Sequence, residues 1–504
     1  MYNKNVVRKI ALVLFFVLVV INLFLASWFV IQNDINFTTE IARDFFILQE
    51  IDQKKIVLIG PSSSTGLFHG PLWAYVNYPA YVIGKGDPIV VGWFWILLII
   101  AFLVGNYFIA KNLFNKTTAY IFVLMTSLYM FFHANGFFNP HGAMLLLPAF
   151  FYCFIKYIQT RRIKYLIIHI FIAGAIIQFQ MAVGIPLFIL SFLYILFTTT
   201  KTKNLKPLTM FLLILIPLGS FILFDLRHDF LLSKITLHYV VSPARDKPDY
   251  LLLIGERVRA MVAGTEIFRQ NADYRNLLSA AVFLFLLIVQ IKDRKYKNVY
   301  QIFLYFYIGF FFLSLFNTGA LLYFYQFPIF PLTFLIFSSF ITSRFKKTFI
   351  VIFMIVYLTN LSAVLQDIKE SKSFIGKSIY SWNALSRIAS EVYKDKSEFG
   401  YFVYSPNIVA FEGKYAMWYM GRKTGKTTYY FQKKPVTYLI IAPPPSNNPF
   451  MKDAWWTVHQ LKIAAKPVSS MNFENRYKIE KYQLTEEEIA VPFDSAIDPG
   501  LHFR

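Results

Sequence analysis

The chain has 504 residues, of which 57% are hydrophobic, 19% aromatic and only 15% charged, with a mean hydropathy of +0.49. That composition excludes an ordinary soluble globular protein, because many apolar stretches of roughly 17–25 residues fit a hydrocarbon core about 30 Å thick. The formal net charge of +22 could suit a nucleic-acid partner, but the basic residues gather in short connections between apolar runs, where the positive-inside rule puts them; membrane lipids, not nucleic acid, are the expected surroundings.

The N-terminus, Met1–Lys9, is short and basic, and the apolar run Ile10–Ile31 after it is longer than a signal-peptide core of about 7–15 residues. It reads as a retained first span with a cytoplasmic N-terminus. Further apolar runs fall near 89–110, 118–134, 142–158, 165–179, 181–198, 207–225, 277–291, 298–316, 320–342 and 348–366. The expected fold is therefore an all-α polytopic transmembrane bundle of about eleven spans. The division of 165–198 is open, since Gly184 and Pro186 permit either two short helices or one kinked one. With the N-terminus inside, the cytoplasmic connections hold 19 Lys and Arg against one acid, Asp293, while the opposite short turns near 135–139 and 317–319 hold none. This count supports an odd number of spans and an external C-terminus, in a protein expected in the plasma membrane.

Three long segments then fall outside: loops 32–88 and 226–275, and the C-terminal 367–504. The division expected is a membrane domain over 1–366 and a small α/β domain over 367–504, with a helical pattern at Lys369–Lys396. Strand patterns come next at Tyr401–Tyr404, Val436–Ile441, Lys466–Phe473 and Lys478–Gln483. The lone cysteine, Cys153, forms no internal disulfide and no cysteine metal site. No ligand cluster, Walker-type loop, HExxH or GxSxG stands out, so no cofactor and no metal are expected.

The most informative residues lie in the first external loop. Thr39–Ile51 reads as a helix in which Glu40, Arg43 and Asp44 share one face at i, i+3 and i+4. Ile41, Phe45 and Leu48 form an adjacent apolar stripe. A carboxylate beside a guanidinium stays ionised at neutral pH, as an anionic base must. An ordinary amphipathic helix, capped by Thr38 or Thr39 with its charges in solvent, accounts for the same spacing. Downstream come Ile56–Pro61 (IVLIGP) and Phe68-His69-Gly70-Pro71, where His69 is either a phosphate ligand or a turn residue. Asn139-Pro140-His141 is a turn entering a helix, with simple capping as its plainer role. Loop 226–275 carries Arg227, His228, Arg245, Arg257, Arg259, Arg269 and Arg275, enough guanidinium to hold an anionic head group if not merely a solvated face. Asn317-Thr318-Gly319 precedes Tyr323 and Tyr325, which interface anchoring alone would explain.

The run Glu40-Ile41-Ala42-Arg43-Asp44, with IVLIGP and FHGP after it, resembles the GT-C superfamily of lipid-linked-sugar glycosyltransferases. Within it the chain is most similar to the branch of protein O-mannosyltransferases and aminoarabinose transferases, especially its bacterial members of unknown acceptor. The resemblance implies an inverting transferase that moves a sugar from a polyprenyl-phosphate donor to a hydroxyl acceptor on the extracytoplasmic face. It places Glu40 where the catalytic carboxylate belongs, although Asp is usual there and the usual neighbouring acid is replaced by Ile41. Arg43 would reach the donor phosphate, helped by His69, Arg227 and His228; Asp44 is the alternative base on spacing alone. His69-Gly70-Pro71 stands in place of a Lys-Pro-Pro motif, Asn139 and His141 lie at a turn where relatives often carry a second acid, and Tyr323–Pro331 matches a tyrosine-and-proline pattern opening a late span. The rival readings are a lipid or glycan flippase or exporter, and a polymerase or ligase of lipid-linked glycans.

Overall fold

The computed structural model describes residues 4–63, 66–241, 249–264, 267–269, 273–291, 295–316, 325, 328–406, 409–444 and 455–497. Tyr323, Arg245 and Asn317-Thr318-Gly319 lie outside the described residues. The principal helices are α1 (Lys4–Ala26), α2 (Thr39–Lys54), α3 (Leu72–Ile83), α4 (Pro88–Leu113), α5 (Lys116–Tyr129), α6 (Asn139–Thr160), α7 (Ile163–Phe179) and α8 (Met181–Thr202). They continue as α9 (Gly219–Arg227), α10 (Tyr250–Gly264), α11 (Asp273–Ile291), α12 (Lys297–Ser314), α13 (Phe330–Ser339), α14 (Lys346–Ser371), α15 (Trp382–Val392) and α16 (Phe411–Thr424). The chain divides into two compact units. One comprises Met1–Trp28, Leu58–Val76 and Phe94–Asp367; the other comprises Phe29–Val57, Asn77–Trp93 and Ile368–Arg504.

The first unit is helical, as backbone groups in hydrocarbon must bond within their own segment. Among the described residues, five helices are long and apolar enough to cross a bilayer: Arg8–Ala26, Pro88–Leu113, Asn139–Thr160, Met181–Lys201 and Lys346–Ser371. A sixth results if Lys206–Leu215 and Gly219–Arg227, bent by 52° at their break, count as one. The expectation of about eleven spans exceeds this number because the other described apolar runs make shorter or less apolar helices, and the start of 320–342 lies outside the described residues. Ile163–Phe179, at 17 residues, rises only about 26 Å.

The open division of 165–198 resolves into two helices. Gln180 adopts φ −153° and ψ 96°, ending α7 and starting α8. The two helices close tightly beyond it, since a Cβ on Gly184 would lie 2.5 Å from the Ile177 amide nitrogen. Polar side chains tie other helices: Asn22 donates to Ser127 Oγ at 2.9 Å and accepts from Tyr357 at 3.2 Å, joining α1, α5 and α14. Such interhelical bonds contribute about 0.6 kcal/mol each in lipid.

The second unit holds a five-stranded sheet of β1 (Phe399–Tyr404), β2 (Thr428–Tyr430), β3 (Val436–Ile441), β4 (Ser469–Asn472) and β5 (Lys478–Gln483), ordered β2-β1-β3-β5-β4. β1 runs parallel to β2 and β3, and β5 runs antiparallel to β3 and β4. One face buries Phe402, Leu439 and Tyr482 with Trp456, Leu461 and Ile463. On the other face α16 passes so close that a Cβ on Gly413 would lie 2.7 Å from Val403 Cγ1. Coverage of both faces explains why β1 is buried along nearly its whole length. The same unit contains α2, whose apolar stripe of Ile41, Phe45 and Leu48 is buried. Phe45 packs edge-on against Tyr415 of α16, ring centroids 5.2 Å apart. Asp34, just before α2, accepts from the Gly376 amide at 2.9 Å, the Ser381 hydroxyl at 2.7 Å and the Asn383 amide at 3.1 Å.

Candidate active site

The α2 helix starts at Thr39, as the Glu40–Arg43–Asp44 spacing requires, and runs to Lys54. Thr38 takes the N-cap position but its side chain makes no capping bond. The Thr39 hydroxyl instead donates to the carboxylate of Glu412 in the first turn of α16. Glu40 and Arg43 are half-buried and Asp44 is buried. Arg43 Nη2 lies 3.6 Å from Asp44 Oδ1. The charged face therefore does not stand free in solvent, as the plain amphipathic reading expects. Glu412 is 3% exposed, and burial pushes its carboxyl above the ordinary range; the bonds from Thr39 and its own amide oppose the rise, and the charge of Glu40 adds to it.

The remaining sequence-derived candidates belong to the first unit. His69 sits in a tight hairpin: its amide donates to Pro61 O at 2.9 Å and its carbonyl accepts from Gly60 at 2.7 Å. The next amide, Gly70, donates to Gln178 O at 2.9 Å. Only a glycine fits, because a Cβ there would fall 1.6 Å from Gln178 Oε1 and 3.0 Å from its Cα. Asn139 is not the cap of α6; that position is Phe138, and the Asn139 side chain donates to Phe179 O at 2.7 Å. His141 is buried against Trp95, with its Nδ1 3.3 Å from the Phe138 amide. The hairpin and the start of α6 thus converge on the end of α7, at Gln178 and Phe179. Gln178 also donates to Pro217 O at 2.7 Å and to Ser220 Oγ at 2.9 Å.

Of the loop residues, Arg227 and Arg259 are exposed. His228 stacks on Phe224 at 4.1 Å, and its Nδ1 lies 2.8 Å from the carbonyl of that residue. The Arg269 guanidinium lies over the Phe132 ring at 4.8 Å. Arg257 differs from all of these. It is fully buried, with Nε donating to Ser314 O at 3.3 Å and Nη1 3.9 Å from Glu256 Oε2. It lines a small hollow together with Tyr325, Met261, Phe310, Ser314 and Ile329. Met261, Phe310 and Ile329 also line an adjoining small apolar cavity whose other walls include Leu147, Val183, Leu187, Phe303 and Phe306. A guanidinium at the end of an apolar cavity has the chemistry of a site for an anion on a greasy tail. Among the described residues no group of three or more His, Cys, Asp or Glu is placed to hold a metal ion.

The loop arginines were indistinguishable by sequence. What marks Arg257 is its burial: α10 leaves Tyr250, Leu251, Leu252 and Val258, and also Glu256 and Arg259, exposed while burying Arg257, and a buried charge in a membrane protein is a functional-site candidate. Glu412 offered no comparable signal.

Residues 69–224 match the family of dolichyl-phosphate-mannose-protein mannosyltransferases. The match spans His69, Asn139 and His141 and begins after the Glu40–Asp44 turn. No curated protein is significantly similar to the chain. Among solved structures, ArnT from Cupriavidus metallidurans bound to undecaprenyl phosphate superimposes with a TM-score of 0.58 at 12% identity, covering 95% of this chain and 99% of that one. Its apo state gives a TM-score of 0.58 at 11% identity over 94% and 98% of the two chains. The chain is an integral membrane protein with the fold of ArnT along almost its whole length, and its residues 69–224 are similar to the dolichyl-phosphate-mannose-protein mannosyltransferases.

Proposed function

We propose that this protein is an inverting glycosyltransferase that moves a sugar from a polyprenyl-phosphate donor to a hydroxyl acceptor on the extracytoplasmic face. The observation that carries this reading is the first turn of α2, where half-buried Glu40 precedes the Arg43–Asp44 ion pair on one helix face. The basic connections support a cytoplasmic N-terminus, with loop 32–88 and residues 367–504 outside. The ArnT structure holds undecaprenyl phosphate, a ligand of the same class.

In this mechanism Glu40 takes the proton of the acceptor hydroxyl as its oxygen attacks the anomeric carbon. The bond from that carbon to the phosphate oxygen breaks on the opposite face, inverting the configuration and releasing polyprenyl phosphate. Positive charge developing on the sugar is stabilised by the carboxylate. Arg43, on the same helix face, would meet the negative charge left on the phosphate. Asp44, already paired with Arg43, is the weaker choice of base. His228 is committed to its own helix, so the donor role falls first to Arg43.

The test uses the purified protein in proteoliposomes. Radiolabelled undecaprenyl-phosphate monosaccharides (mannose, glucose, 4-amino-arabinose) are offered with a cell-envelope extract as acceptor source. Wild type should consume one donor and label one fraction of the extract, and Glu40→Gln should lose this by 10³-fold or more on the order of general-base loss combined with electrostatic loss. Wild type moving a donor lipid across the bilayer without cleaving it would replace the enzyme reading with a flippase. Transfer of whole glycans alone would point to a polymerase or ligase.

A further inference from the structure

The turn that carries Glu40 is held by a side chain from far along the chain. The backbone entering α2 is pinned first: Phe37 donates to Tyr380 O at 2.7 Å, and Trp382 donates to Ile35 O at 3.1 Å. These bonds flank an isolated antiparallel bridge between Asn36 and Ser381. They stop at Phe37, three residues short of Glu40. Helix N-termini leave their first four amides without helical partners and fray first. The customary remedy is a capping side chain, and Thr38 does not supply one.

The first turn is tied instead by the bond from the Thr39 hydroxyl to Glu412. Glu412 lies in the first turn of α16 and is almost fully buried. A polar side chain in that setting must be satisfied by protein groups, so the bond fixes both partners. Tyr380 and Tyr477 stand near enough for their hydroxyls to feel the Glu412 charge, and Tyr380 also feels Glu40. Glu412 is thus central to the polar cluster around the start of α2. Its own helix is seated on α2 by Tyr415, whose ring meets Phe37 at 5.5 Å, Phe45 at 5.2 Å and Phe46 at 5.5 Å. The Tyr415 hydroxyl donates to Gly86 O at 2.7 Å.

We infer that Glu412 is a positioning residue for Glu40: by accepting the Thr39 hydroxyl it holds the uncapped first turn of α2 so that the Glu40 carboxylate keeps one orientation toward the acceptor. The inference rests on the reading of Glu40 as base. A misplacement of about 1 Å in such a group can cost about 100-fold in rate, so a single bond that orders the turn has kinetic weight. Glu412 itself touches no reacting atom.

The experiment is the same donor-consumption assay, read as kcat and donor KM, with thermal unfolding of every variant. Thr39→Val, which is isosteric, should lower kcat by about 10- to 100-fold with donor KM unchanged, and Glu412→Leu should do the same. Thr39→Ser and Glu412→Gln keep a hydroxyl donor and a carbonyl acceptor, so both should stay within about twofold of wild type. The Thr39→Val/Glu412→Leu double variant should be no slower than the slower single one, because both remove one bond. Wild-type kcat in Thr39→Val, or a loss in Glu412→Gln equal to that in Glu412→Leu, overturns the inference. Failure of the base assignment is separate: there Glu40→Gln itself remains active, whereas an inactive Glu40→Gln beside a fully active Thr39→Val removes only the positioning role.

Discussion

His169 and Ser191 stand eleven residues on either side of Gln180 and meet within the first unit, Nε2 to Oγ at 2.9 Å. The other ring nitrogen, Nδ1, lies 3.0 Å from the Phe150 carbonyl. A carbonyl only accepts, so Nδ1 carries the proton; the Ser191 hydroxyl shares its one proton between Nε2 and the Leu187 carbonyl, which lies 2.8 Å away. The pair clamps α7 to α8, and α7 ends at the Gln178–Phe179 carbonyls that receive Gly70 and Asn139. Packing deep in the helices is thus continuous with the residues the family match covers.

Removing the hydroxyl tests that clamp. Ser191→Ala leaves a fully buried ring nitrogen without its donor, and the expected cost is about 1 kcal/mol. Unfolding in mixed detergent micelles measures it. An unchanged midpoint would mean that another group satisfies Nε2 at no cost.

Gly70 makes a steeper prediction. In Gly70→Ala the new methyl collides with the Gln178 side chain and presses on its Cα at 3.0 Å, so the hairpin or α7 must shift. A loss of about 1–3 kcal/mol is expected, as for overpacked cores. Adding Gln178→Ala clears the worst contacts, at 1.6 and 2.3 Å, and should recover part of the loss. Thermal melts of the two single variants and the double give the comparison, and strict additivity would refute the collision.

Much of this architecture could be read from residue pattern alone, and the exceptions have physical causes. The apolar runs lie on helices because in hydrocarbon no other local structure satisfies the backbone; how many of them span depends on breaks such as Gln180 and the bend near Pro217. Val436–Ile441 and Lys478–Gln483 are strands with the expected ends. Thr428–Tyr430 escaped notice because three residues carry no period. Phe411–Thr424 escaped because Gly413 and Gly421 weaken the helical pattern, and because Lys414 is buried with its ammonium over the Phe431 ring at 4.8 Å. At the candidate site, Glu40, Arg43 and Asp44 were legible since they share one helical turn. Glu412 was not, for its partner Thr39 is 373 residues away and no local spacing encodes that contact.

Asp395 makes the stability of the second unit depend on pH. Burial alone would raise its carboxyl, but bonds from Lys481 and Tyr438, both at 2.6 Å, and from the Ser397 hydroxyl and amide outweigh it, and the group is held well below the usual carboxylate range. A folded value below the unfolded one of about 3.9 means that the stabilisation is full above that pH. It fades as pH falls toward the folded value. Asp395→Asn should therefore lower the melting temperature near neutrality, by about 2 kcal/mol of stability, and flatten the decline below about pH 4. Equal acid sensitivity in variant and wild type would assign the decline to other carboxylates.

Arg257 separates a structural guanidinium from one held for a ligand. Buried charges contribute little to stability when an apolar side chain of similar volume can replace them, and such replacements are often neutral or stabilising. The walls around Arg257 are largely apolar, with Met261, Phe310 and Ile329 shared between the two hollows. Arg257→Leu should therefore fold as well as wild type or melt slightly higher. If the guanidinium meets a lipid phosphate, the cost appears on binding instead: adding undecaprenyl phosphate should raise the wild-type melting temperature, and at the same concentration shift that of Arg257→Leu much less. Removing a charge-assisted bond of this kind weakens affinity by about 1.5–3 kcal/mol, or roughly 10- to 150-fold. Arg257→Lys keeps the charge without the planar fork and should fall between the two. A variant that destabilises without ligand, yet keeps the full shift with it, would make Arg257 a helix tie to the Ser314 carbonyl and not a phosphate ligand.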